Sequence, residues 1–76
     1  MEDQKIVALL FERSEQGMTE LIAKYGKLLR HIAGNILGNP LDAEECASDT
    51  YLAVWNAIPP EQPRSLAAFC CAIARN

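Results

Sequence analysis

The sequence predicts an all-α fold, a small bundle of three main helices plus a short C-terminal helix. Three observations carry that prediction. Apolar residues recur at spacings of three and four over long stretches, the mark of amphipathic helices and not of strands. Glycine and proline gather at a few points that cut the chain into helix-length segments. Ala, Leu and Ile are frequent, whereas only two Phe, two Tyr and one Trp are present, a mix suited to packed helices. With 76 residues the chain makes a single domain, which buries roughly 60% of the surface that its unfolded form exposes.

The first helix is predicted from Glu2 to Arg13, with Ile6, Val7, Leu9, Leu10 and Phe11 as a broad apolar face. Ser14 reads as the N-cap of a second helix running to about Leu37. Its stripe is Met18, Leu21, Ile22, Tyr25, Leu29, Ile32, Ala33 and Ile36. Gly26 and Gly34 lie on it two turns apart, where a neighbouring helix can approach closely. Gly38-Asn39-Pro40 ends the helix, since Gly suits the position past a C-terminus and Pro cannot continue it. The third helix is expected to start near Asp42, with Asp42 and Glu45 as an Asp-x-x-Glu capping box. Glu44 adds negative charge to the first turn, where the helix dipole favours it. Ala43, Cys46, Ala47, Thr50, Val54 and Ile58 mark its inward face; Glu45, Ser48, Asp49, Leu52 and Asn56 mark its outward face. Pro59-Pro60 stops it, and Glu61-Gln62-Pro63-Arg64 links to a last helix capped by Ser65, with Leu66, Phe69, Cys70 and Ile73 as its stripe. No Gly or Pro follows Arg75-Asn76, so the last helix reads as cut and the domain, 1–76, as truncated at its C-terminal end.

Charge narrows the function. Residues 1–38 hold five basic and five acidic side chains, whereas 39–76 hold Arg64 and Arg75 against Asp42, Glu44, Glu45, Asp49 and Glu61. A domain that binds DNA alone shows a basic patch, and net −3 with an acidic second half argues against that class. Lys24, Lys27, Arg30 and His31 form a basic stretch on the second helix, read as a solvated face or as a nucleic-acid contact within a larger assembly, with Glu20 pairing to Lys24 four residues on. The acidic outward face of the third helix reads either as a solvated face or as one that docks on a basic protein surface. Trp55, one turn after Tyr51, is expected half-buried, packing that helix onto the bundle at the margin of the docking face.

Other chemistry finds no footing. The sequence has no Gly-rich phosphate loop, no His-x-x-His pair and no nucleophile elbow, so it reads as a non-enzyme without cofactor or metal. His31 is expected at the surface. Cys46, Cys70 and Cys71 lack metal-ligand spacing and read as small apolar thiols of a reduced, cytoplasmic protein. Met1-Glu2-Asp3-Gln4-Lys5 is not the start of a secretory signal. No apolar run approaches the ~18 residues of a membrane span.

The run Asp42-Ala43-Glu44-Glu45-Cys46-Ala47-Ser48-Asp49-Thr50-Tyr51-Leu52-Ala53-Val54-Trp55 resembles conserved region 2 of the bacterial RNA polymerase sigma factors of the sigma-70 family. The nearest group is the extracytoplasmic-function (ECF) type. Tyr25-Gly26 through Ile32-Ala33 and Ile36-Leu37-Gly38-Asn39-Pro40 look like the family's preceding helix and turn. Ala72-Ile73-Ala74-Arg75-Asn76 looks like the segment in its following helix. The resemblance covers nearly the whole chain, most firmly 21–58.

The resemblance implies a transcription initiation factor. Its third helix would dock on the coiled-coil clamp helices of the largest subunit of core RNA polymerase, through Glu45, Ser48, Asp49, Leu52, Trp55 and Asn56. Promoter DNA would be engaged, and the −10 element melted, by the last helix and the segment after it in the full-length protein. Phe69, Arg75 and Asn76 are the positions carried over here. An anti-sigma factor is a further implied partner. The family usually places Gln where Ser48 stands, and it often carries Trp, Tyr and basic residues where Ala67, Ala68, Phe69, Cys70, Cys71 and Ala72 stand. A truncated bundle predicts self-association through Leu66, Phe69 and Ile73. The rival reading is a helical protein-interaction module unrelated to transcription, which would bind some other basic partner.

Overall fold

The computed structural model describes residues 1–76, the side chain of Leu37 excepted. Four helices follow in order: α1 (Asp3–Phe11), α2 (Glu15–Leu37), α3 (Pro40–Ala57) and α4 (Leu66–Arg75). Among the described residues there is no strand. The all-α bundle expected from the sequence is thus the observed fold. α2 is its spine. It packs against each of the other three, and α3 also packs on α4. At about 1.5 Å per residue a helix of 23 residues accounts by itself for the 35 Å long axis of the molecule.

The core follows the predicted stripes, except that Phe11 of the expected α1 face is 43% exposed. Ile6, Val7 and Leu10 of α1, Leu21 and Leu29 of α2, Val54 and Ile58 at the end of α3, and Leu66, Cys70 and Ala74 of α4 meet in one cluster. Burial of a Leu or Ile side chain contributes about 1.5–3 kcal/mol. Met18, Tyr25, Ile32, Tyr51, Trp55, Phe69 and Ile73 pack around it half-buried. Two members of the α2 stripe stay out: Ile22 and Ile36 are 40% and 55% exposed. Ile22 lies toward the margin of the stripe. Ile36 stands in the last turn of α2.

Backbone chemistry sets the boundaries. α1 ends at Phe11 because Arg13 takes a left-handed conformation, φ 62°. Ser14 holds the N-cap position of α2, but its side chain makes no capping hydrogen bond. Its carbonyl instead accepts from the Gly17 N–H at 3.0 Å. Gly38, at φ 69°, ends α2 in the left-handed form that glycine adopts freely, and its N–H bonds the Gly34 carbonyl at 2.8 Å. Ser65 caps α4 as expected, accepting from the Ala68 N–H at 3.2 Å.

Three expectations are corrected. Lys24 does not pair with Glu20: its Nζ lies 2.7 Å from Asp3 Oδ1 and 3.0 Å from the Met1 carbonyl. The Tyr25 hydroxyl donates to the other oxygen of Asp3 at 2.7 Å. Asp3 thus offers an acceptor to two donors from α2, which Glu20, on the same helix as Lys24, does not. The Lys24 bond, then the Tyr25 bond, lowers the Asp3 pKa; the same Asp3 bond and burial push Tyr25 up to about 12. Leu66 is not available for self-association, being 1% exposed, because α4 turns Leu66, Cys70 and Ala74 inward and leaves Phe69 and Ile73 as half-buried flanks. The third correction concerns the start of α3.

All three cysteines are free. Burial pushes the Cys70 thiol up to about 12. The Cys46 thiol lies 3.6 Å from the Ala74 carbonyl and joins α3 to α4. His31 is exposed, within 3.4 Å of the Asn35 amide.

Candidate functional site

α3 begins two residues earlier than the sequence suggested, and the reason is local. Asn39 takes the extended N-cap conformation, Pro40 occupies the first helical position and the Asn39 side chain accepts from the Leu41 N–H at 2.9 Å. Proline's fixed φ and missing N–H suit that first position. The Asp42–Glu45 capping box is therefore replaced by an Asn39 cap. Asp42 remains the acidic residue of the first turn, whereas Glu44 falls beyond it.

Small inward residues seat α3 closely on the bundle. Ala43, Ala47, Thr50 and Val54 are buried, and Cys46 is half-buried. Thr50 is tolerated there because its hydroxyl donates to the Cys46 carbonyl at 2.8 Å. Opposite Tyr51, α2 carries Gly26, where a Cβ would sit 3.2 Å from the tyrosine hydroxyl. The close approach expected at Gly26 is therefore present. At Gly34 a Cβ would meet only the Ala43 Cβ at 3.9 Å, an ordinary contact. Burial raises the Tyr51 pKa.

The opposite face of α3 is open. Glu45, Ser48, Asp49, Leu52 and Asn56 are all exposed, so the structure gathers these five candidates on one face. Leu52 is 60% exposed amid polar neighbours. Among the described residues, the one ion pair is Lys24–Asp3, so no carboxylate of α3 is neutralised by an internal cation. Glu45 and Asp49, with Asp42, also rim a shallow groove towards α4 floored by Thr50, Ala53, Ile73 and Ala74. The face therefore joins unpaired negative charge to exposed apolar surface, a combination that attracts a basic, partly apolar protein surface.

Trp55 stands at the margin of this face, half-buried and packed on the core. The Arg13 guanidinium lies 3.8 Å from its ring centroid. The remaining candidates are not drawn together. Phe69 is half-buried in the bundle, whereas Arg75 and Asn76 are exposed at the far end of α4. Asn76 borders the groove rimmed by Asp42, Glu45 and Asp49, a charge setting that repels phosphate.

Two residues of the region escaped the sequence reading. Leu41 is 76% exposed and continues the face by one turn. Its spacing to Glu45, Ser48, Leu52 and Trp55, alternately four and three, was the signal that would have found it. Arg13 lies 42 residues from Trp55 in sequence, and no local pattern announces a contact of that range. Among the described residues no group of His, Cys, Asp and Glu side chains could hold a metal ion, and no helix is long and apolar enough to cross a membrane.

A family model described as Sigma-70 region 2 matches residues 21–76. No curated protein and no solved structure matches the chain.

Proposed function

The chain belongs to the Sigma-70 region 2 family, and from that membership we propose that it is the polymerase-docking domain of an ECF-type sigma factor, with α3 as its docking helix. Membership makes it a transcription initiation factor domain, a regulatory module with core RNA polymerase as its general partner. The finer reading is that Glu45, Ser48, Asp49, Leu52, Trp55 and Asn56 meet the clamp helices of the largest subunit in the cytoplasm. The observation that carries it is the α3 face itself, where exposed Leu52 lies among carboxylates without internal partners.

The physics divides the work. Asp49 and Glu45 attract a basic surface and speed encounter, an effect that salt screens over about 10 Å at 0.1 M. Leu52 holds the complex by burial: covering its exposed part removes from water apolar surface worth about 1–2 kcal/mol. Ser48 is short and contributes a weaker polar contact than the Gln usual in the family. The same domain would help to melt the −10 element with Phe69 and Arg75 of α4, whereas Asn76, beside the acidic groove, is less suited to phosphate. An anti-sigma factor that covered the α3 face would exclude polymerase by occupancy.

A pull-down of core polymerase by this chain and by its Asp49→Lys variant tests the assignment. Retention by the parent and loss by the variant is the expected result. Equal retention by both overturns the assignment of the face.

A further inference from the structure

We propose that Arg13 is a positioning residue for docking, which acts by holding the Trp55 indole and the C-terminal end of α3 in their docking geometry. The inference rests on the reading of α3 as the docking helix. The backbone and the guanidinium of this residue both carry unusual features. Its backbone takes the left-handed conformation, φ 62°, which residues with a Cβ avoid. Its guanidinium stacks over the Trp55 ring at 3.8 Å from the centroid, well inside the range of a cation–π contact. Its Nη1 donates to the Trp55 carbonyl and to the Ile58 carbonyl at 3.1 Å.

Those two carbonyls explain why the cation is placed there. The last carbonyls of a helix lack intrahelical partners, and the dipole makes that end negative. α3 carries no basic residue in its last turn, so the turn between α1 and α2 supplies one from outside. The indole is thereby held between the core on one side and a planar cation on the other. A Trp fixed before the partner arrives loses less freedom on binding. Only arginine suits this position, because lysine keeps the charge but has neither the planar face nor the fork of donors.

The left-handed backbone provides a clean test, because glycine adopts it without strain. Arg13→Gly keeps the turn while it deletes the stack and both hydrogen bonds. Arg13→Lys is the second variant, retaining charge alone. Because Trp55 is the single Trp of the chain, acrylamide quenching reports on its cover alone. Far-UV circular dichroism reports the fold, and a titration with core polymerase gives affinity. Expected are parental helix content, faster quenching, and affinity weaker by about fivefold in Arg13→Gly, with Arg13→Lys between the two.

Parental affinity in both Arg13 variants, beside a weakened Trp55→Ala, overturns the positioning role and leaves the docking reading standing. Parental affinity in all three, Trp55→Ala included, overturns Trp55 as a docking residue as well. Unchanged quenching in both Arg13 variants shows that the indole is not held by the guanidinium and also overturns the proposal.

Discussion

The seat of α3 on α2 can be tested by substituting both sides of its closest contact. Gly26→Ala adds helix propensity to α2, worth about 1 kcal/mol. The new Cβ would stand 3.2 Å from the Tyr51 hydroxyl, which must recede by a few tenths of an ångström. Overpacking costs about 1–3 kcal/mol in general, and one strained contact belongs at the low end. The two effects cancel, so Gly26→Ala alone is expected to leave stability within about 0.5 kcal/mol of the parent. Tyr51→Phe removes the obstructing oxygen. That oxygen is buried and has no hydrogen-bond partner among the described residues, so its loss is neutral or stabilising by up to about 1 kcal/mol. With the hydroxyl gone, the nearest remaining atoms to the Cβ are Arg30 Nη1 at 3.5 Å and Ile22 Cγ2 at 3.7 Å, both ordinary contacts. In the Tyr51→Phe background Gly26→Ala should therefore stabilise by its full propensity, and the coupling between the sites is about 1 kcal/mol. Urea unfolding followed by circular dichroism at constant m measures it. In thermal melts 1 kcal/mol corresponds to about 4–8 °C for a domain of this size. Additivity of the two changes within about 0.3 kcal/mol would refute the contact.

Other consequences are read with simpler assays. The Asp3 pKa is lowered by Lys24 and Tyr25, so its contribution is fully present above the unfolded value near 4 and is lost as pH falls through the lower folded value. Because the Lys24 and Asp3 side chains are 39% and 36% exposed, solvent screening keeps the ion pair's share below about 1 kcal/mol. Asp3→Asn should flatten the acid limb of a stability–pH curve by that amount; an unchanged limb would contradict the pairing. Asn39→Ala removes the α3 cap and should cost about 1 kcal/mol in urea unfolding, whereas Asp42→Ala should cost less; the reverse order would restore the Asp42 cap. Under native conditions a thiol reagent should modify half-buried Cys46 and Cys71 ahead of buried Cys70, and equal rates for all three would contradict the packing of α4.

Where short-range periodicity decides, the sequence was a sufficient guide. The inward and outward faces of α3 followed from spacing alone, because a helix carrying Ala43, Ala47, Thr50 and Val54 at intervals of four and three has one way to bury them. Gly38 and Ser65 were legible because each does what its chemistry favours. The start of α3 was ambiguous because Asn39 and Asp42 are both good caps, and Pro40 settles it in favour of Asn39. The partners of Lys24 and Arg13 were hidden for another reason. Each reaches across the chain, by 21 and 42 residues, and only the packed helices bring those positions together. Leu66 was expected at an exposed seam because its own helix does not say which side α2 will cover. The exposed acidic face of α3 was therefore readable in outline, while the Arg13 contact with Trp55 was not.

On the proposed function, the acidic, Leu-bearing face of α3 binds core RNA polymerase. A titration of core polymerase with the chain and with Asp49→Lys, beside Glu15→Lys as an equal change of net charge on α2, separates the α3 face from net charge. Asp49→Lys is expected to weaken binding by about tenfold or more, on the order of 1.4 kcal/mol, while Glu15→Lys leaves the affinity near that of the parent. Equal affinity of Asp49→Lys and the parent would show that polymerase does not bind this face.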